Sequence, residues 1–434
     1  MGRPKLILSN SLSFRLPLRF FLTAPIFAVA AAMTMILYGH HPPIDRWSPE
    51  ILAITHLLVL GYIVMVMQGA TVQVISVLVG GKAKWSDQIG LLMYLSLTSG
   101  VLLLATGFLG GGMELFRLSL LSLSLSFFLF FAISMTAIIK GKARNDVKLR
   151  IALVLLGLAV AIVSGIMLAA GYGWGEISIM RQWTDNHLVW GLMGGVGILV
   201  VSLSYELVPM FQVTPAYPEQ LKPWMIAGLF AALLLYSINE EISTALLAVG
   251  YSIFAMLTLS IQSRRKRKEI DTTVQFWRLA MLSLLATALL WATTQDSHPL
   301  ILGILMIVGF SISVINGMLY KILPFLVWVH LSTKVSKLSL SRRLIPNIKT
   351  IIPQGMANTQ FWVHLVSIVL IVIDIWLPTV GVTVPSMIHV LAYTLFILSN
   401  SLLLWNLSIA IRTYKERGVE IERASISSHD EQHS

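Results

Sequence analysis

Four histidines lie in stretches that otherwise read as membrane helix: His56 in "THLLVLG", His187 in "DNHLVWGLMGG", His298 in "SHPLILG" and His389 in "MIHVLAY". A neutral imidazole nitrogen is what haem iron, copper and zinc all accept, and one ring cannot fill a site. Each position has two readings. The ring is a ligand, or it is a polar group satisfied by a backbone carbonyl, a headgroup or water. The chain has no cysteine, which excludes disulfides, thiolate-held zinc or iron–sulfur centres and covalent haem attachment. Any metal must be held by nitrogen, oxygen or methionine.

The elements that position these residues are membrane helices. The 434 residues are 56% hydrophobic and 12% charged, with a mean hydropathy of +0.81; soluble domains carry about 25% charged residues. The fold class is therefore all-α, a polytopic membrane bundle. Apolar windows give twelve spans, near residues 17–38, 50–80, 87–109, 117–140, 150–172, 185–212, 222–238, 243–262, 276–293, 298–326, 360–378 and 384–411. They make one transmembrane domain over residues 1–412. Residues 413–434 read as a polar cytoplasmic tail, and "SSHDEQHS", with His429 and His433, reads as disordered. The basic N-terminal stretch has no small-residue cleavage site behind it and reads as retained.

The net charge of +11 does not point to nucleic acid. Of the 31 Lys and Arg, all but Arg46, Arg117 and Arg181 fall in loops on one side, which is the signature of topology and places both termini in the cytoplasm. The lipid bilayer is the partner this composition demands, and a bacterial inner membrane is the expected location.

Helices 2, 6 and 10 resemble one another. Helix 6 runs from His187 through glycines to Tyr205-Glu206-Leu207-Val208-Pro209, and helix 10 from His298 through glycines to Tyr320-Lys321-Ile322-Leu323-Pro324. Helix 2 opens with His56 and carries Gln73 where the tyrosine would fall. A spacing of four helices predicts three parallel four-helix units in a pseudo-threefold arrangement. All three helices run inward, so their histidines, joined by His389 of helix 12, are expected at one depth, within roughly 10 Å of the outer boundary at about 1.5 Å rise per residue.

Around the histidines, Gly61 and Gly69 read either as helix-packing positions or as a face that a flat macrocycle approaches. Asp185 and Asp296, two residues before His187 and His298, read as helix caps or as carboxylates orienting a ligand. Asp374 lies near the outer end of helix 11, where it either pairs with a histidine or meets water. His40 and His41 belong to an outer loop; His330 and His364 fall on the cytoplasmic side. Tyr205, Glu206, Tyr320 and Lys321 form a candidate proton path from the cytoplasm, with interfacial anchoring as the alternative. No phosphate loop, nucleophile elbow or H-E-x-x-H motif is present.

Twelve helices in three arcs, with histidines on helices 2, 6 and 10 toward the outer face, resemble subunit I of the haem–copper oxidases. The opening "FRLPLRFFLTAPIFAV", with a histidine early in helix 2, resembles the NnrS family of bacterial membrane proteins. The resemblance implies a non-covalent b-type haem and copper. It makes His56 a haem ligand, with His298 or His389 as its companion, and gives His187 to a metal. It implies electron transfer, or the handling of nitric oxide or metal, with a quinone or an electron-carrier protein as partner. Only His298 stands where the oxidases have two helix 10 ligands, and helix 7, "KPWMIAGLFAALLLYSIN", lacks their histidine pair, so a complete oxygen-reducing oxidase is not expected. The competing expectation is a cofactor-free, proton-coupled secondary transporter whose histidines carry protons.

Overall fold

A computed structural model describes residues 14–38, 45–71, 87–175, 177–267, 269, 271–294 and 298–433, with side chains for all of these except 177–182, 294 and 428–433. His40, His41, Gln73 and Asp296 lie outside the described residues.

The described residues form twelve principal helices and no strand: α1 (Arg15–Tyr38), α2 (Pro49–Thr71), α3 (Asp87–Gly111), α4 (Met113–Lys140), α5 (Asn145–Trp174), α6 (Trp183–Gln212), α7 (Leu221–Tyr236), α8 (Glu240–Ser263), α9 (Thr272–Thr294), α10 (Pro299–Lys337), α11 (Gln354–Thr379) and α12 (Ser386–His433). Eleven are long and apolar enough to cross a membrane; α7, at 16 residues, is shorter. The chain is a multi-pass membrane protein. Helix is the one regular structure that satisfies every backbone group of such a segment internally. Outward-facing Leu121, Phe128, Ile139 and Val163 are exposed as lipid-contacting residues must be. Exposed Trp224, Trp362 and Trp405 ring the basic end of the bundle, with Trp174 and Trp376 at the opposite end, as interfacial aromatics do.

Neighbours in sequence pack side by side, and α12 returns against α1 to close the ring. The inner helices are α2, α6 and α10, whose apolar windows are 61%, 67% and 72% buried, against 44% or less for α3, α4, α5, α8, α9, α11 and α12. These are the three helices that the repeat picks out. Each widens into π-helical turns, at Val59–Val64, Trp190–Gly197 and Leu305–Ile312, and those of α2 and α6 both touch those of α10.

Outer helices press on the widened turns. A Cβ on Gly61 would fall 2.5 Å from the Phe27 ring of α1, and one on Gly197 2.3 Å from the Tyr251 hydroxyl of α8. The Tyr251 hydroxyl donates to the Met193 carbonyl within the α6 π segment, and Ser311 and Ser313 donate to carbonyls five residues back in α10. Helix packing is thus the role of Gly61, and of Gly69, which meets Phe20 of α1.

The polar tail packs on the bundle in its first part. It continues α12 to His433; Ile421 is buried, and Glu422 pairs with Lys334 of α10 at 2.5 Å. That contact gives residues 413–422 a packed face on the end of α10.

Candidate functional site

His56 and His187 come together. Their ring centres are 6.3 Å apart and their planes 14° from parallel, and the Phe108 ring at the end of α3 lies 5.3 Å from that of His56. Each ring is held by the same nitrogen. Nδ1 of His56 donates to the Leu52 carbonyl at 2.7 Å, and Nδ1 of His187 donates to the Ala161 carbonyl of α5 at 2.8 Å. A carbonyl accepts only, so each Nδ1 carries the proton and each Nε2 keeps its lone pair.

Both rings line a cavity of about 560 Å³ that extends from the centre of the bundle to the end opposite the basic loops. Its walls are apolar and aromatic, with Phe108, Tyr172, Ile307 and Phe396 among them. Room at the rings comes from α5, whose Gly157, Ala161, Gly165 and Ala169 repeat every four residues and so share one face. Gly157 meets the Gly194 backbone of α6, and a Cβ on Gly165 would fall 2.7 Å from Cε1 of His187. At the mouth, Arg46 pairs with Asp185 at 2.8 Å and lies over the Trp47 ring. Asp185 therefore neither caps α6 nor orients His187. A helical stretch from Ile177 already leads into α6, so Asp185 lies inside the helix.

The other two histidines stand apart from this pair. His389 gives Nδ1 to the buried Asp374 carboxylate at 2.8 Å, with Tyr393, a cavity-lining residue, beside it. His298 precedes the first turn of α10, with Nδ1 buried and unpartnered. Among the described residues no three His, Asp or Glu side chains group to hold a metal ion. The expected four-histidine cluster is thus a pair, His56 with His187, plus two separate rings.

The repeat register explains His298. In α2 and α6 the π turns begin three residues after the histidine, at Val59 and Trp190. In α10 they begin at Leu305, so the equivalent position is Leu302. The tyrosines give the same answer, because the step from His187 to Tyr205 equals the step from Leu302 to Tyr320. His298 lies one turn too early, and Leu302 lines the cavity in place of a third histidine.

Of the candidate proton path, Tyr205 and Tyr320 are buried, not headgroup anchors. Glu206 lies 3.6 Å from Arg150, whose guanidinium covers the Tyr205 ring. Lys321 pairs with Asp271 at 3.0 Å. Tyr320 turns inward, receiving a bond from Asn406 at 2.8 Å and donating to Gln360 at 3.3 Å. His364 is wholly buried and meets the Ser313 hydroxyl at 3.0 Å.

Phe108, Ala161 and Gly165 are site residues that the motif-by-motif reading passed over. The four-residue period of small side chains on α5 is the signal that marks two of them. Fold and site together define a multi-pass membrane protein with paired imidazoles in a central apolar cavity. Among known proteins, no family model matches the chain and no curated protein does.

Proposed function

We propose that the chain is a haem-binding membrane protein of electron transfer, with His56 and His187 as the two axial ligands of one b-type haem. The observation that carries this is the pair of Nε2 lone pairs offered in one apolar cavity. Two imidazoles on one metal, at about 2 Å per metal–nitrogen bond and roughly 1 Å from ring atom to ring centre, have centres about 6 Å apart; here the separation is 6.3 Å. The cavity volume falls within the roughly 300–1,000 Å³ of cofactor pockets. Both Nδ1–H groups are tied to backbone carbonyls, an arrangement that fixes tautomer and ring orientation for ligation.

When bound, haem supplies a one-electron iron couple in a medium of low dielectric. The chain's own residues do the rest. Leu52 and Ala161 orient the rings, Phe108 and Tyr172 exclude water, and the small face of α5 leaves space. His56 and His187 would both be taken up in holding the group, which favours electron transfer over chemistry on nitric oxide. Among the described residues no three His, Asp or Glu side chains group together, so the residues present do not fit a separate copper centre. A quinone or electron-carrier protein would meet the bundle at the cavity mouth, near Arg46 and Asp185.

By the positive-inside rule the basic end faces the cytoplasm of a bacterial inner membrane. Protein purified from haem-replete cells should carry about one haem per chain with a Soret band, lost in His56→Ala and in His187→Ala. A colourless preparation contradicts the reading.

A further inference from the structure

The stretch Arg264-Arg265-Lys266-Arg267 leads out of α8 towards α9 at the basic end of the bundle, and one of its cations differs from its neighbours. Arg264 and Lys266 are exposed, as charges that only anchor a cytoplasmic loop are, whereas the Arg265 side chain is 5% exposed. All three of its guanidinium nitrogens are buried with no hydrogen-bond partner. A guanidinium carries five N–H donors and does not lose its charge, so burial leaves it calling for acceptor oxygens.

The surrounding chain does not supply them. The Asp271 carboxylate, which opens α9, lies 3.8 Å from Nη2 of Arg265, too far for a hydrogen bond. Its Oδ1 accepts from the Val274 backbone N–H at 3.1 Å, and its Oδ2 from Lys321 of α10 at 3.0 Å. Two cations thus face one buried carboxylate, and the N-terminus of α9 adds partial positive charge at the same place. The C-terminus of α8 contributes partial negative charge, yet none of its carbonyls accepts from the guanidinium.

Both sides of this frame are tied down. On the α9 side, the Thr273 hydroxyl donates to the Gly317 carbonyl of α10 at 3.0 Å, and the Thr272 hydroxyl bonds to Gln354 and Asn358 of α11. On the α8 side, Gln262 donates to Gln212 of α6 at 2.8 Å, and the Lys266 backbone N–H donates to the Val213 carbonyl at 3.1 Å. Asp271 is therefore held at its distance from Arg265. Lys321 keeps 24% of its side chain exposed, which leaves an open side next to the cations.

We infer that Arg265 and Lys321 form a binding site for a phosphate group, carried by an anionic lipid headgroup or by a soluble phosphate. The planar fork of Arg265 matches two phosphate oxygens, and Lys321 offers a point charge to a third. The Asp271 charge is met by Lys321 and the start of α9, so the charge of Arg265 is left for the ligand. The site belongs to the end ringed by Trp224, Trp362 and Trp405, the level at which headgroup phosphates lie. It is separate from the histidine cavity and stands whatever that cavity holds.

The test uses the full-length chain, purified in an uncharged detergent and stripped of lipid. It is titrated with inorganic phosphate and, separately, with short-chain phosphatidylglycerol, at constant ionic strength set by chloride. Thermal midpoints are followed, and lipid adducts are counted by native mass spectrometry. A ligand of the folded state raises the midpoint with its concentration. Wild type should respond to phosphatidylglycerol, and Arg265→Gln, which removes a buried charge and is expected to fold, should not. Arg265→Lys keeps the charge but loses the fork and should bind about tenfold more weakly, the loss of one charge-assisted hydrogen bond. Lys266→Gln, at an exposed neighbour, should bind as wild type does. A response to phosphatidylglycerol alone assigns the site to a lipid headgroup, and a response to inorganic phosphate as well shows that the phosphate group suffices. No response of wild type to either, or equal binding by wild type and Arg265→Gln, overturns the site.

Discussion

A histidine in a membrane helix becomes a ligand through what holds its other nitrogen. His56 uses the carbonyl four residues back in its own helix, and His187 uses one from α5. Two residue-scale outcomes follow. His298→Ala and His389→Ala should each leave the Soret band in place, since neither ring belongs to the pair; absorption of the purified variants decides it. Gly165→Ala sets a methyl 2.7 Å from the His187 ring and should push that ring off its carbonyl, lowering haem retention during purification while helicity by circular dichroism is kept. The identity of His56 and His187 as candidates was legible in the sequence. Their partnership was not, because the Nδ1 acceptors are backbone carbonyls, which no motif encodes, and because one comes from a neighbouring helix.

The elements were placed by hydropathy and charge, and α2, α6 and α10 by their shared pattern. What the pattern misplaced was the register of the third copy. Aligning histidine with histidine put His298 level with the others, whereas the π turns and the Tyr-x-x-x-Pro ends put Leu302 there. A widened turn adds a residue without changing composition, so hydropathy is blind to it. The same packing makes the widened turns fragile. Gly61→Val would drive a side chain into the Phe27 ring and should destabilise the protein by about 1–3 kcal/mol. Tyr251→Phe removes the bond to the Met193 carbonyl and should cost about 1 kcal/mol. Both are read as lower thermal midpoints in detergent; an unchanged midpoint for Gly61→Val would mean that α1 does not press on the α2 π turn.

At the scale of the molecule, one end of the bundle is basic and the other opens on the cavity. A C-terminal reporter that works only in the cytoplasm should be active, and one that works only outside should be silent; the reverse result would invert the molecule. On the proposed orientation the cavity mouth faces outward. The most direct test of the paired ligation is low-temperature electron paramagnetic resonance of the oxidised protein, taken with carbon monoxide binding after reduction. Wild type should give a low-spin bis-imidazole signal and bind no carbon monoxide, while His187→Ala should turn high-spin and bind it. Carbon monoxide binding by wild type, or a low-spin signal surviving in His187→Ala, would contradict two-histidine ligation of one haem.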